Sequence, residues 1–113
     1  MRAKKKHGLN DAMIGEVTDI FGALGDQSRL SILRTLLDAH EPQSQGEMVE
    51  MTGLSQANTS KHLACLVRVG LVTREPKGSS VMYAPVLPLV SDICELICGH
   101  VTERIKKQYK ELG

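Results

Sequence analysis

The chain has 113 residues, 42% hydrophobic and 24% charged, with a net charge of +1. That is room for one folded domain and not comfortably two. It also excludes several classes. No apolar run approaches the roughly 18 residues of a membrane span, no apolar signal core follows the charged start Met1–His7, and three cysteines are too few for a secreted disulfide framework. The expectation is a cytoplasmic protein with free thiols and no membrane partner. With one Phe, two Tyr and no Trp, the core must be aliphatic, and dimerisation would help so small a monomer.

Residues 1–9 are basic and read as a disordered tail, leaving 10–113 as the domain. Asn10 or Asp11 can cap a first helix running to about Leu24. Its apolar positions Met13, Ile14, Val17, Ile20, Phe21 and Leu24 have the spacing of one face. A second helix starts near Asp26 or Ser28, with Leu30, Ile32, Leu33, Leu36 and Leu37 as a wide apolar face. Glu41-Pro42-Gln43-Ser44 breaks that pattern. A short third helix, Gln45 to Met51, leads into the tight turn Thr52-Gly53-Leu54. A fourth runs from about Ser55 to Val69 and stops at Gly70. The period then changes. Leu71–Arg74 and Val81–Ala84 read as strands around a turn from Glu75 to Ser80, and a last helix spans about Leu89 to Tyr109. The predicted class is mainly α (α+β), in the order α-α-α-α-β-β-α.

Two short helices joined by a glycine turn and followed by a hairpin make a winged helix-turn-helix plan. In that plan the second helix of the pair enters the DNA major groove, so its first residues must be short and polar. Here they are Ser55, Gln56, Ala57, Asn58, Thr59, Ser60, Lys61 and His62. Gln and Asn can bond two atoms of adenine, and the Thr methyl can touch thymine. Lys61, Arg68 and Arg74 suit phosphates, as does His62, and Lys77-Gly78-Ser79 at the hairpin tip can reach the flanking backbone or minor groove. Charge is distributed accordingly. Residues 55–83 carry Lys61, Arg68, Arg74 and Lys77 against Glu75 alone, whereas acidic groups outnumber basic ones before residue 55 and the two balance after residue 83.

Three stretches resemble the ArsR/SmtB repressors. Ala23–Leu33 looks like their opening signature, Gly53–Leu63 like their recognition helix, and Gly70–Val72 with Val81–Tyr83 like their wing. The resemblance covers about residues 12 to 105. It implies a homodimer packed through the first and last helices, bound to double-stranded DNA at a near-palindromic operator. It also implies repression relieved by a metal, metalloid or redox signal. By position, Gln56, Ser60 and Lys61 would face bases, with Lys77 and Gly78 on the wing.

The family's ligand sets are only partly present. The Cys-x-Cys pair expected on the third helix is missing, because that helix reads Gln45-Gly46-Glu47-Met48-Val49-Glu50. On the last helix Asp92-x-Cys94 and His100-x-x-Glu103 resemble a zinc set, but with Cys for His and too short a gap. Cys94 and Cys98 remain as candidates. Four apart, they share a helix face and can grip a soft metal or metalloid ion, or meet an oxidant. A disulfide between them within one helix would be strained. The competing reading is packing: Leu87, Val90, Cys94, Ile97, Val101 and Ile105 form a seam of threes and fours suited to a dimer core. Cys65 reads as core, and Met48, Met51 and Met82 as core filler. His7 and His40 suggest no role.

No Cys-x-x-Cys, glycine-rich phosphate loop or nucleophile triad points to an enzyme. The sequence therefore reads as a DNA-binding repressor with a thiol-directed signal. Two alternatives stand beside it: a winged-helix regulator without metal or thiol sensing, and a winged helix used for protein contacts.

Overall fold

A computed structural model describes residues 8–112, so the expected tail 1–9 lies outside the described residues except for Gly8 and Leu9. The chain forms α1 (Ile14–Leu24), α2 (Gln27–Ala39), β1 (Gln43–Ser44), α3 (Gln45–Thr52), α4 (Gln56–Arg68), β2 (Val72–Lys77), β3 (Ser80–Pro85) and α5 (Leu89–Leu112). This is the winged helix-turn-helix class that the sequence predicts, with one added strand.

The first helix starts later than expected. The Asn10 side chain accepts from the Met13 backbone N–H at 3.2 Å, which closes a turn rather than opening a helix. Helix α1 then begins at Ile14 with no side-chain cap. Helix α2 is capped in the usual way, the Asp26 carboxylate accepting from Arg29 N–H at 3.0 Å. Helix α3 opens on a capping box, in which Ser44 Oγ accepts from Glu47 N–H and the Glu47 carboxylate accepts from Ser44 N–H.

Two glycines shape the core of the motif. Gly53 has φ +75° and donates to Val49 O, ending α3 in the left-handed conformation that glycine adopts at least cost. Gly70, at φ +84°, closes α4: its N–H donates to Val67 O while Leu71 N–H donates to Leu66 O. This paired closure satisfies two helix-end carbonyls and turns the fully buried Leu71 into the core.

The sheet departs from expectation in two ways. Strands β2 and β3 run to the ends of the hairpin, with Lys77 opposite Ser80, so the predicted turn 75–80 shrinks to Gly78-Ser79. Residues Gln43 and Ser44, expected only as a break, pair with Tyr83 and Met82 as an outer strand. The sheet order is β1-β3-β2, antiparallel throughout.

The core is aliphatic, as the composition requires. Ile32, Leu33 and Leu36 of α2 meet Met48 of α3, Leu63 and Leu66 of α4, Leu71, Val72 and Val90. Met51, expected in the core, is instead 47% exposed. The terminal helices contribute little: α1 buries only Ala23 and α5 only Val90.

Candidate nucleic-acid interface

Helices α3 and α4 are held as a unit by packing beneath the Gly53 turn and by Gln45 Nε2, which donates to Gln56 O at 3.5 Å. Ser55 is the N-cap of α4 and its hydroxyl accepts from Asn58 N–H at 3.1 Å. Beyond the cap, Leu63 and Leu66 anchor the inner side of the helix in the core. Gln56, Ala57, Asn58, Ser60 and Lys61 are all exposed, forming a short, polar, uncrowded surface over the first two turns.

Thr59 does not belong to that surface. It is fully buried, and its Oγ1 has no hydrogen-bond partner. A base contact through Thr59, expected from the sequence, is therefore corrected: the helical period turns this position inward, four residues before Leu63 on the same face.

The other expected residues are distributed around the helix. Lys77 and Gly78 lie exposed at the hairpin tip, and Arg74 is exposed on β2 opposite Tyr83. Arg68 is exposed too, but on the last turn of α4, about 18 Å of helix rise from Gln56. Its guanidinium lies near Cys65, with Nη2 3.7 Å from the sulfur. The structure thus groups the start of α4 with Lys61 and places Arg68 apart from them.

His62 is half-buried, and its surroundings include a residue that sequence reasoning passed over. Arg29 of α2 donates through Nε to Ala23 O at 2.7 Å and through Nη2 to Gly22 O at 3.3 Å, at the C-terminal end of α1. Its Nη1 lies 3.4 Å from His62 Nδ1. One guanidinium therefore joins α1, α2 and α4. Asp26 stands close by. The backbone N–H of Arg29 holds its carboxyl below the ordinary carboxylate value, and the charge of Arg29 acts in the same direction. The Asp26-x-x-Arg29 spacing reads only as a helix start, and nothing in it signals the reach to His62.

All three cysteines are free. Cys65 and Cys94 are half-buried and pack against the core, while Cys98 is exposed. Burial pushes the Cys94 thiol pKa up, and the neighbouring Cys98 adds to the shift. The proposed apolar seam is divided. Val90 is consumed by the chain's own core, whereas Ile97, Val101 and Ile105 are 44–59% exposed. Among the described residues no group of three or more His, Cys, Asp or Glu is placed to hold a metal ion. Two sulfurs on α5 do not complete a metal site within one chain.

Residues 26–74 match the model of the bacterial regulatory proteins of the arsR family. The chain is 37% identical over 76 residues to a Streptomyces lividans protein named "Probable mercury resistance operon repressor", covering 67% of this chain and 59% of that one. It is 40% identical over 62 residues to the transcriptional regulator CmtR of Mycobacterium tuberculosis, covering 55% and 51%. The chain thus spans between half and two thirds of these relatives' length. Among solved structures, HlyU from Vibrio cholerae aligns with a TM-score of 0.66 at 32% identity, covering 78% of this chain and 94% of that one. The homodimeric winged helix-turn-helix domain of Mb0332 from Mycobacterium bovis aligns at 0.76, with 24% identity and coverage of 88% and 94%. With the same helix-turn-helix and wing, the chain matches the ArsR family of bacterial regulatory proteins from the cap of α2 into the first strand of the hairpin.

Proposed function

We propose that this protein is a sequence-specific transcriptional repressor, acting in the cytoplasm as a homodimer on a near-palindromic operator, and not an enzyme. The observation that carries the reading is the start of α4. Gln56, Asn58, Ser60 and Lys61 are exposed on a helix whose other side is locked into the core, so the polar residues are rigidly presented. Gln and Asn match adenine edges in the major groove, and Lys61, Arg74 and Lys77 supply phosphate contacts. The wing tip at Gly78 stands beside the groove and reaches the flanking backbone.

The homodimer is supported by what α1 and α5 leave uncovered. Ile14 and Phe21 are 49% and 66% exposed, as are Leu96 at 74% and Ile97 at 58%. Apolar faces of that extent on a small domain call for a partner, and a second copy covers both helices symmetrically. No helix among the described residues is long and apolar enough to cross a membrane instead.

The signal we propose is thiol-directed, read by Cys94 and Cys98 at the edge of that face. A mercury resistance repressor among the relatives supports the class. One chain supplies only two sulfurs, so a soft metal or metalloid ion would need donors from a second copy, whereas an oxidant would not. A winged-helix regulator without sensing keeps every DNA contact and loses only the response.

The test is a titration of reduced protein onto a fluorescent duplex of the DNA upstream of its own gene, repeated after mild oxidation and with soft metal ions. Tight binding lost on one treatment supports both halves. Tight binding that no treatment changes returns Cys94 and Cys98 to packing. Binding no better than to a shuffled duplex overturns the repressor reading in favour of a protein-contact role.

A further inference from the structure

Arg29 can only donate hydrogen bonds, since guanidinium carries five N–H groups and no acceptor. Its Nη1 lies 3.4 Å from His62 Nδ1, and a hydrogen bond there needs a lone pair on Nδ1, the tautomer that leaves the proton of a neutral ring on Nε2. Nε2 has no partner within the described residues. Among those residues, Thr59 Oγ1 is the one buried side-chain nitrogen or oxygen lacking a partner, so Nε2 reaches solvent. The ring sits one position after Lys61, on the helix that presents Gln56, Asn58 and Ser60.

We propose that Arg29 is a positioning residue for DNA binding: held by Ala23 and Gly22 carbonyls at the end of α1, it occupies His62 Nδ1 and so offers His62 Nε2–H to a DNA phosphate. The proposal rests on the repressor reading. It explains why one guanidinium spends Nε and Nη2 on backbone carbonyls of α1 and Nη1 on α4. The carbonyl pair fixes the plane of the fork, and the fork then fixes both the tautomer and the tilt of the ring. It also ties the end of α1, the helix proposed to pack against the second copy, to a DNA-facing side chain.

The experiment uses the full chain and the same upstream duplex. Asparagine carries its amide nitrogen near the Nδ1 position, glutamine near Nε2. His62→Gln should bind within about twofold of wild type, and His62→Asn roughly tenfold or more weaker, the loss of one hydrogen bond to a charged group. Arg29→Met should weaken binding when His62 is present and change it little in the His62→Gln background, since the amide has no tautomer to set. Equal losses in both backgrounds would make Arg29 a structural cap of α1 and overturn the proposal. So would His62→Asn binding as wild type does. The ring nitrogens, read by 15N NMR without DNA, supply the independent arm: the Nδ1 resonance of the neutral ring should shift in Arg29→Met. An unshifted resonance overturns the positioning role whatever the DNA result. If wild type binds no DNA while the resonance shifts, it is the repressor reading that fails, and the phosphate contact with it.

Discussion

The hydroxyl of Ser55 accepts a hydrogen bond from the backbone N–H of Asn58 at 3.1 Å, so the residue that opens the proposed DNA-reading surface is also the N-cap of α4. The two roles separate on substitution. Ser55→Ala should cost about 1 kcal/mol of stability in urea unfolding. Ser55→Asp should recover that stability, because aspartate caps well and suits the positive helix end. It should nevertheless bind DNA less well than wild type, because it sets a carboxylate beside phosphates. Equal DNA affinity in the two variants would separate the start of α4 from the interface.

Thr59 supplies the complementary test. Its buried hydroxyl lacks a partner, a state that costs more than a methyl group of the same shape. Thr59→Val should leave operator affinity unchanged and hold or raise stability, by up to about 1 kcal/mol. A loss of affinity at unchanged stability would put Thr59 back on the DNA face.

Gln56 and Lys77 should differ in kind. Gln56→Ala should lower operator affinity by about 1–3 kcal/mol and relax the preference at one base pair. Lys77→Ala should weaken binding to all sequences alike and reduce the dependence of log K on log salt by about one unit of slope. Competition assays on a set of point-substituted duplexes at two salt concentrations distinguish the two behaviours.

The thiols of α5 should react unequally. Cys98 is exposed, whereas burial both shields Cys94 and favours its protonated form. At neutral pH iodoacetamide should therefore label Cys98 first, as peptide mass mapping would show. The raised Cys94 pKa also has a sign in stability. The folded state keeps the proton longer than the unfolded one, so this contribution is complete below the ordinary thiol value and is lost as pH rises through the folded one. Wild type should lose stability across that alkaline range more steeply than Cys94→Ala does, measured by urea midpoints. Parallel curves would mean that Cys94 is as open to water as Cys98.

Helix-turn-helix and wing were legible because each element announces itself locally. Asp26 and Ser55 stand where caps are needed, Gly53 and Gly70 where the backbone must turn left-handed, and the apolar period passes from helix to strand at Leu71. Strand β1 gave no such signal. Two residues carry no period, and Gln43 and Ser44 are a strand only because β3 passes beside them. The extension of the hairpin to Lys77 and Ser80 was hidden in the same way, by a proline and charged residues that an exposed edge tolerates.

The polar run from Ser55 to His62 by itself singled out the helix proposed to face DNA, since residue type and spacing along one helix decide that. Which members of the run face outward was settled by the tertiary structure. Thr59 is polar by type and buried by position, because Leu63 and Leu66 fix the rotation of α4 about its axis. The placement of His62 was settled there too, by an arginine 33 residues earlier in the chain. Local chemistry writes caps, turns and periods into neighbouring residues, but a contact between α2 and α4 exists only once the core between them has packed.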